Sequence, residues 1–324
     1  MYRTTMVARD TNRRDSMATI ARDTNGRDSM ATIAQWIEGA RLRTLPNAIA
    51  PVVVGSGVAM ALGQFSWTLA VLTMIVALAL IVGVNFANDY SDGVRGTDVN
   101  RVGPLRLVGS GVARPDAVRT AALASFGVAM VTGLAAVIIS GRWAMIAVGA
   151  LCIAAAWFYT GGKHPYGYAG LGELAVFVSF GLVAVLGTVY VQAGQVSGYG
   201  IGAAVAVGCF SASVLVVNNL RDIPTDTAAG KHTLAVLIGD QDTRNLYLGL
   251  IAVPFLISAV GAIHDTYLLL GFLALPLLLP GVRKVVNGAT GQALVAVLRD
   301  TALAMLVWAG VTAVGLAVGG GPAS

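Results

Sequence analysis

Long apolar runs alternate with short polar segments along most of this chain. Nine of these runs approach the roughly 20 residues that an α-helix needs to cross the hydrocarbon core of a bilayer. They lie near residues 45–62, 67–90, 116–139, 143–159, 172–193, 199–219, 244–263, 266–282 and 301–320. Backbone polar groups must pair with one another inside a membrane, so the pattern predicts an all-α protein with nine transmembrane helices.

Composition points to the same class of protein. Hydrophobic residues make up 56% of the 324 residues and charged residues only 11%, well below the share of about 25% in soluble domains. The first partner that we expect is therefore the lipid bilayer. The net charge of +5 lies mainly in segments between apolar runs, where it orients a membrane protein, so we expect no nucleic-acid partner.

The positions of lysine and arginine predict an orientation. With nine helices, 20 of the 21 Lys and Arg residues fall on one side, and Arg142 alone falls on the other. The positive-inside rule then places the head and the loops after helices two, four, six and eight in the cytoplasm, with the tail after Gly319 outside. Arginine outnumbers lysine 18 to 3, which is typical of a GC-rich bacterial genome and favours a bacterial inner (plasma) membrane.

The chain begins with a polar duplication. Residues 8–20 and 21–33 are identical at all but one of thirteen positions. A polar repeat of this kind cannot bury a core, so we expect a disordered head at 1–35, with a regulatory or lipid-surface role as the alternative. The transmembrane domain is then predicted at 36–320, followed by a short tail at 321–324.

Two groups of acidic and amide residues border membrane-length runs. The first acidic cluster contains Asn85, Asn88, Asp89 and Asp92, with Asp98 just beyond; the second acidic cluster contains Asn219, Asp222 and Asp226. Carboxylates next to hydrocarbon are costly, so a compensating partner is expected, most simply a divalent metal that holds a polyanion. Mg²⁺ fits, because it prefers oxygen ligands and shares substrate phosphates. A helix-end aspartate also serves as a simple cap, which is the alternative for either cluster alone.

Spacing differs between the two clusters. Asn85, Asn88 or Asp89, and Asp92 follow helical spacing and fall on one face, whereas Asp98 follows two glycines and folds back from a loop. Asp222 and Asp226 are four residues apart, but Pro224 lies between them and disfavours a continuous helix there.

The clusters also occupy matching places in the chain. Each one ends the second helix of a group of four predicted helices. This indicates two four-helix pseudo-repeats plus a ninth helix, with the two halves facing a common cavity.

The polar segments resemble the motifs of the UbiA superfamily of intramembrane prenyltransferases. The chain matches N-D-x-x-D at 88–92, D-x-x-x-D at 222–226 and Y-x-x-x-K at 159–163. In the longer pattern N-D-x-x-D-x-x-x-D the last position falls on Gly96, and Asp98 is the nearest acid. Within the superfamily the chain is most similar to the MenA-type branch, the 1,4-dihydroxy-2-naphthoate polyprenyltransferases, through segments 41–46, 88–93, 101–106, 159–173 and 219–231.

The resemblance implies a reaction and a set of site residues. The substrates would be a polyprenyl diphosphate and 1,4-dihydroxy-2-naphthoate, the cofactor Mg²⁺, and the products diphosphate, CO₂ and demethylmenaquinol for menaquinone biosynthesis. Diphosphate loss would give an allylic cation, which the electron-rich ring attacks. The implied metal ligands are Asn88, Asp89, Asp92, Asp98, Asp222 and Asp226. The implied substrate-binding residues are Asn85, Asn88, Arg101, Lys163, Asn219 and Lys231. The implied catalytic residues are Asp89, Asp92, Asp222, Asp226 and Tyr159.

Other interpretations stay open at this point. A related prenyltransferase would act on another aromatic acceptor such as 4-hydroxybenzoate, and an ion-coupled transporter would use intramembrane acids nearer the midplane. A CDP-alcohol phosphotransferase requires D-G-x-x-A-R, which this chain lacks after Asp92. Loop lysines and arginines also serve as topology determinants, and Tyr159 as an interface anchor. Glu173, at the start of a predicted helix, either stabilises the helix end or contacts the site, and the sequence favours neither role.

Overall fold

The computed structural model describes residues 31–96, 105–162 and 165–319. Every regular element in these ranges is helical, which confirms the all-α prediction. We number the helices α1 to α10, and their bounds are Ile33–Gly39, Pro46–Ala61, Trp67–Arg95, Pro115–Ser140, Met145–Phe158, Gly172–Ala193, Gly198–Ala228, Leu234–Gly261, Leu275–Val286 and Ala293–Gly319. Short 3₁₀ turns occupy Leu42–Thr44, Tyr166–Tyr168 and Thr266–Ala274.

By a strict length criterion, the structure has fewer membrane-spanning helices than the nine that the sequence predicts. Within the described ranges seven helices are long and apolar enough to cross a bilayer, with Thr266–Val286 counted as one span. An eighth arises if Ile33–Thr44 and Pro46–Ala61, bent by 50°, form one broken span. Met145–Phe158, at 14 residues, is apolar but shorter. The chain is thus a multi-pass membrane protein, and the count of nine stays a prediction.

Both helices that carry an acidic cluster run further than their apolar stretches. Trp67–Arg95 has 29 residues and Gly198–Ala228 has 31, so each is more than about 40 Å long and exceeds the roughly 30 Å hydrocarbon core. The expectation that Pro224 interrupts the helix is wrong, because α7 continues through it. Pro224 is exposed and close to the helix end, where only one backbone hydrogen bond is lost. Asp222 and Asp226 therefore lie on one helix.

The core is divided between two groups of helices. The larger hydrophobic cluster surrounds α7, with side chains such as Phe210, Tyr247 and Trp308 fully or nearly fully buried. The smaller cluster joins α3, α4 and the 105–113 segment through Phe86, Leu107 and other residues. The apolar stretch of α7 that would span the membrane is 72% buried, which makes α7 the central helix of the bundle.

Helix pairing follows the predicted pseudo-repeat. The two most extensive pairings are α3 with α4 and α7 with α8, the second and third helices of each predicted group of four. Helix α10 packs on α2 and closes the bundle. A π-helical stretch at Phe177–Val183 lets α6 approach α7 closely, and a Cβ on Gly181 would lie 2.5 Å from the Cα of Gly208.

The predicted head and tail fall largely outside the described residues. This applies to 1–30 of the head and to 321–324. The last part of the predicted head, from Ile33 onwards, belongs to helix α1, which begins with a capping box between Thr32 and Gln35.

Candidate active site

The last turns of α3 carry the first acidic cluster into a polar region. Asp92 is 3% exposed and accepts a hydrogen bond from the Tyr168 hydroxyl. Its other carboxylate oxygen lies 3.5 Å from Nη2 of Arg106, a long ion pair between two buried groups. Asp92 therefore meets one cation and one phenol from two different loops, and both compensate its burial.

Asp89 and Asn85 have other partners. The carboxylate of Asp89, which is fully buried, accepts hydrogen bonds from the backbone N–H of Leu107 at 2.7 Å and of Val108 at 3.1 Å. Asn85 donates through Nδ2 to the carbonyl of Ala40 and to Oγ1 of Thr44, at 3.0 and 2.9 Å. The helical face predicted for Asn85, Asp89 and Asp92 thus meets several partners, because Asp89 and Asn85 each contact a neighbouring segment of the chain.

Asn88 points to the turn that follows α5. Its Oδ1 accepts a hydrogen bond of 2.7 Å from the Thr160 hydroxyl, and Thr160 is buried. Arg95, one helical turn beyond Asp92, donates to the carbonyls of Thr160 and Gly162. Two side chains of α3 therefore hold the segment that begins at Tyr159.

The second acidic cluster is organised around Asp222. This buried carboxylate accepts hydrogen bonds from Nε and Nη2 of Arg221, both at 2.7 Å, and from Nδ2 of Asn218 at 3.3 Å. Asp226, one turn further along α7, is half-buried. Asn219 faces a different element and donates through Nδ2 to Oε1 of Glu173 on α6, at 2.8 Å.

The Tyr166–Tyr168 turn connects the two clusters. The Tyr168 hydroxyl donates to Asp92, while Nζ of Lys231 lies 4.7 Å from the centroid of the Tyr168 ring, a cation–π contact. The backbone N–H of Lys231 donates to the carbonyl of Asp226 at 2.9 Å, and that of His232 to the carbonyl of Tyr168 at 3.1 Å. The ends of α3 and α7 thus lie at the same end of the bundle.

Tyr159 lies in the same region. Its ring meets that of Tyr166 edge-to-face, with centroids 5.4 Å apart and planes at 84°. Its carbonyl accepts a hydrogen bond from the N–H of Gly167, and its hydroxyl lies close enough that a Cβ on Gly172 would be 3.2 Å away. Burial raises the pKa of the Tyr166 phenol, which keeps this group neutral as it donates to the carbonyl of Ala155. The Tyr159 ring is thus fixed from two sides.

Three predicted site residues fall outside the described ranges. They are Asp98, Arg101 and Lys163, so their roles stay predictions. Among the described residues, no three His, Cys, Asp or Glu side chains lie close enough together to hold a metal ion by themselves. A cation held by the described residues would therefore take part of its coordination from Asn88, from water or from a bound ligand.

Sequence reasoning did not single out several residues that build the site. Tyr168 stood only within a segment of family likeness, and Arg95 only among the topology charges. Arg106 and Arg221 stood in both groups, without a role in the site. The adjacent Arg221 and Asp222 were the one local signal available. The partners of Tyr168 and Arg106 are 76 and 14 residues away, and no local spacing reveals them.

Comparisons with known proteins agree with the fold and the motifs. The sequence matches the UbiA prenyltransferase family over residues 48–298. It is 57% identical to the 1,4-dihydroxy-2-naphthoate octaprenyltransferase of Mycobacterium tuberculosis, over 88% of this chain and 97% of that protein. It is 36% identical to the Escherichia coli enzyme of the same name, over 78% of this chain and 85% of that protein.

A solved structure supplies the corresponding likeness in three dimensions. It is a UbiA homologue from Archaeoglobus fulgidus bound to DMAPP and Mg²⁺, with a TM-score of 0.58 at 12% identity, covering 88% of this chain and 99% of the other. At this identity the likeness concerns the fold. The match over residues 48–298 and the two bacterial relatives show that this chain belongs to the UbiA prenyltransferase family.

Proposed function

We propose that this protein transfers a polyprenyl group from polyprenyl diphosphate to 1,4-dihydroxy-2-naphthoate, with release of diphosphate and CO₂, and so forms demethylmenaquinol in menaquinone biosynthesis. The identity of 57% to the Mycobacterium tuberculosis octaprenyltransferase, across nearly the whole of both chains, supports the choice of acceptor. The observation that carries the reaction class is the meeting of both acid-bearing helix ends at the Tyr166–Tyr168 turn.

The donor atoms at this site fit Mg²⁺. The proposed ligands Asn88, Asp92, Asp222 and Asp226 offer only oxygens, and they come from two helices instead of one preformed cage. Mg²⁺ suits such an arrangement, because it usually keeps several waters and binds through a few carboxylates plus substrate phosphates. Bound there, the ion would supply positive charge that stabilises the departing diphosphate. Asp98 remains a proposed ligand by its place in the sequence.

Asp89 and Asn85 are proposed to support the site through the backbone. Asp89 is fully buried and accepts the backbone N–H groups of Leu107 and Val108 on its two oxygens, whereas Asp92 and Asp222 pair with side chains, which can move aside for a metal. The backbone contact of Asp89 positions the neighbouring Arg106 beside Asp92. Asn85 likewise holds the segment that leads into α2. We therefore assign Asp89, which its motif position marks as a catalytic metal ligand, the task of keeping the 105–108 segment in place.

The basic residues are proposed to bind the diphosphate of the donor, and the aromatic residue Tyr159 is proposed to contact its prenyl group. Lys231, above the Tyr168 ring, would neutralise phosphate charge together with Lys163 and Arg101. The Tyr159 ring would face the allylic cation, which an aromatic face stabilises. Apolar helices on all sides would exclude water and so protect the cation from hydrolysis. The site is proposed to open at the cytoplasmic face of a bacterial plasma membrane.

A labelled-carboxyl assay tests the proposal. Membranes that contain the protein, supplied with a polyprenyl diphosphate and carboxyl-labelled 1,4-dihydroxy-2-naphthoate, should release labelled CO₂ in step with prenylated product. Chelation of divalent ions with EDTA should stop the reaction, and added Mg²⁺ should restore it. Prenylation of 4-hydroxybenzoate but not of the naphthoate would reassign the acceptor, and absence of any prenylated product would refute the proposal.

A further inference from the structure

Glu173 is a buried acid that has no role in the proposed reaction as described above. It lies in the first turn of α6 and is 7% exposed. One carboxylate oxygen, Oε1, accepts the hydrogen bond from Asn219. The other, Oε2, is buried and has no hydrogen-bond partner among the residues that the structure describes. A buried carboxylate oxygen without a donor is costly, which indicates that a bound molecule supplies the missing donor.

Glu173 meets α7 slightly less than one helical turn before Asp222, deeper in the bundle than the proposed diphosphate site. Its partner Asn219 is three residues before Asp222 on α7, which is about 4.5 Å deeper along the helix axis. The Tyr159 hydroxyl approaches the neighbouring Gly172. The ends of α5, α6 and α7 therefore converge at the depth where the reacting carbon of a donor would lie if its diphosphate bound at Asp222.

The chemistry of the two substrates decides which one meets Oε2. A diphosphate offers only acceptor oxygens and would be repelled by the carboxylate, whereas a hydroxynaphthoate brings hydroxyl donors. Helix-end stabilisation explains an acid in the first turn of α6, but it explains neither the burial of Oε2 nor the bond to Asn219. We propose that Oε2 of Glu173 accepts a hydrogen bond from the acceptor hydroxyl next to the carboxyl-bearing carbon; this inference rests on the proposed function.

The hydroxyl becomes available to Glu173 when the acceptor binds. In free hydroxynaphthoate this hydroxyl is hydrogen-bonded to the adjacent carboxylate. In the bound acceptor the carboxylate turns out of the ring plane, as it must before it leaves, and the hydroxyl donates to Glu173 instead. The C–O bond of the donor breaks and its electron pair departs with the diphosphate. The carboxyl-bearing ring carbon then forms the new C–C bond while the hydroxyl proton moves to Oε2, which gives a β-keto carboxylate. When the C–CO₂ bond breaks, its electron pair restores the aromatic ring and the proton returns to the ring oxygen.

Glu173→Gln tests this assignment. Its amide places an NH₂ donor where one of the two carboxylate oxygens stood, so if the amide oxygen keeps the bond from Asn219, the ligand hydroxyl faces a donor that cannot take its proton. We expect turnover of 1,4-dihydroxy-2-naphthoate to fall on the order of 100-fold, the effect of losing one charged hydrogen bond of about 3 kcal/mol. Binding of an unreactive polyprenyl thiolodiphosphate should stay within about threefold of the native value, since only the acceptor contact is lost. An exposed carboxylate on α8 offers the matched control, and Asp242→Asn should leave both measurements unchanged.

A comparison of two acceptor analogues separates a direct contact from a structural role. The fluorescence of naphthoates allows direct titration of 1-hydroxy-2-naphthoate and of its methyl ether, 1-methoxy-2-naphthoate. The native protein should prefer the hydroxyl compound by about tenfold or more, and Glu173→Gln should reduce this preference to below about twofold. Glu173→Asp, which withdraws the carboxylate by one methylene, should reduce it likewise.

Each outcome has a definite meaning. An unchanged hydroxyl preference in both variants would overturn the assignment, and so would loss of thiolodiphosphate binding in both, because Glu173 would then support the whole site. If the native protein converts no naphthoate at all, the proposed function fails regardless of the variants. If the native protein is active and Glu173→Gln is equally active, only the inference about Glu173 fails.

Discussion

Asp89→Asn separates support of the site from direct participation in it. The Asp89 side chain is fully buried, and both of its oxygens accept backbone hydrogen bonds, from Leu107 at 2.7 Å and Val108 at 3.1 Å. Hydrogen bonds to charged groups contribute about 1.5–3 kcal/mol each. Asparagine keeps one acceptor but turns an amide donor toward the other N–H. We therefore expect docking of the 105–108 segment to lose about 3 kcal/mol, which is on the order of 100-fold in the ratio of docked to undocked segment.

Hydrogen exchange measures this change directly. In detergent-solubilised protein, peptides that contain Leu107 and Val108 should exchange faster by up to about 100-fold, while peptides from α7 keep their protection. Turnover should fall in parallel, because Arg106 no longer lies beside Asp92. Asp116→Asn is the control, since Asp116 is exposed in the first turn of α4. Lost turnover with native exchange at Leu107 and Val108 would refute the supporting role and return Asp89 to the metal ligands.

Three further substitutions test the site and the fold. Asp92→Ala and Asp222→Ala should each lower turnover on the order of 100-fold or more while the protein still inserts; full activity in either variant would remove that residue from the site. Gly181→Ala should lower the free energy of unfolding by about 1–3 kcal/mol, because its Cβ would lie 2.5 Å from the Cα of Gly208. Thermal unfolding in detergent measures this loss, and Gly249→Ala, which meets nothing within 4 Å, should not reproduce it.

The sequence was most informative where one local pattern determined one feature. Apolar runs of membrane length predicted the helices, and the motif spacing at 88–92 and 222–226 predicted which helix ends carry the site. The effect of Pro224 was misjudged, because the cost of a proline depends on how much helix follows it and on its exposure. At the exposed end of α7 that cost is small, and the helix continues to Ala228.

The spacing of residues along the sequence did not predict which distant residues contact the site side chains. Helical periodicity placed Asn85, Asp89 and Asp92 on one face, but it could not say that the backbone at 107–108 covers Asp89 while a tyrosine from the loop before α6 reaches Asp92. The same holds for Glu173 on α6, whose hydrogen bond reaches Asn219 on α7, 46 residues further along the sequence. Such contacts depend on how the loops fold over the bundle, and no single segment encodes them.

The proposed function requires that the ends of α3 and α7 together bind one metal–diphosphate group. Mn²⁺ binding in the presence of an unreactive polyprenyl thiolodiphosphate, measured by electron paramagnetic resonance, tests this without turnover. We expect Asp92→Asn on α3 and Asp222→Asn on α7 each to weaken Mn²⁺ binding by about tenfold or more. Native Mn²⁺ affinity in either variant, with the analogue bound, would contradict it.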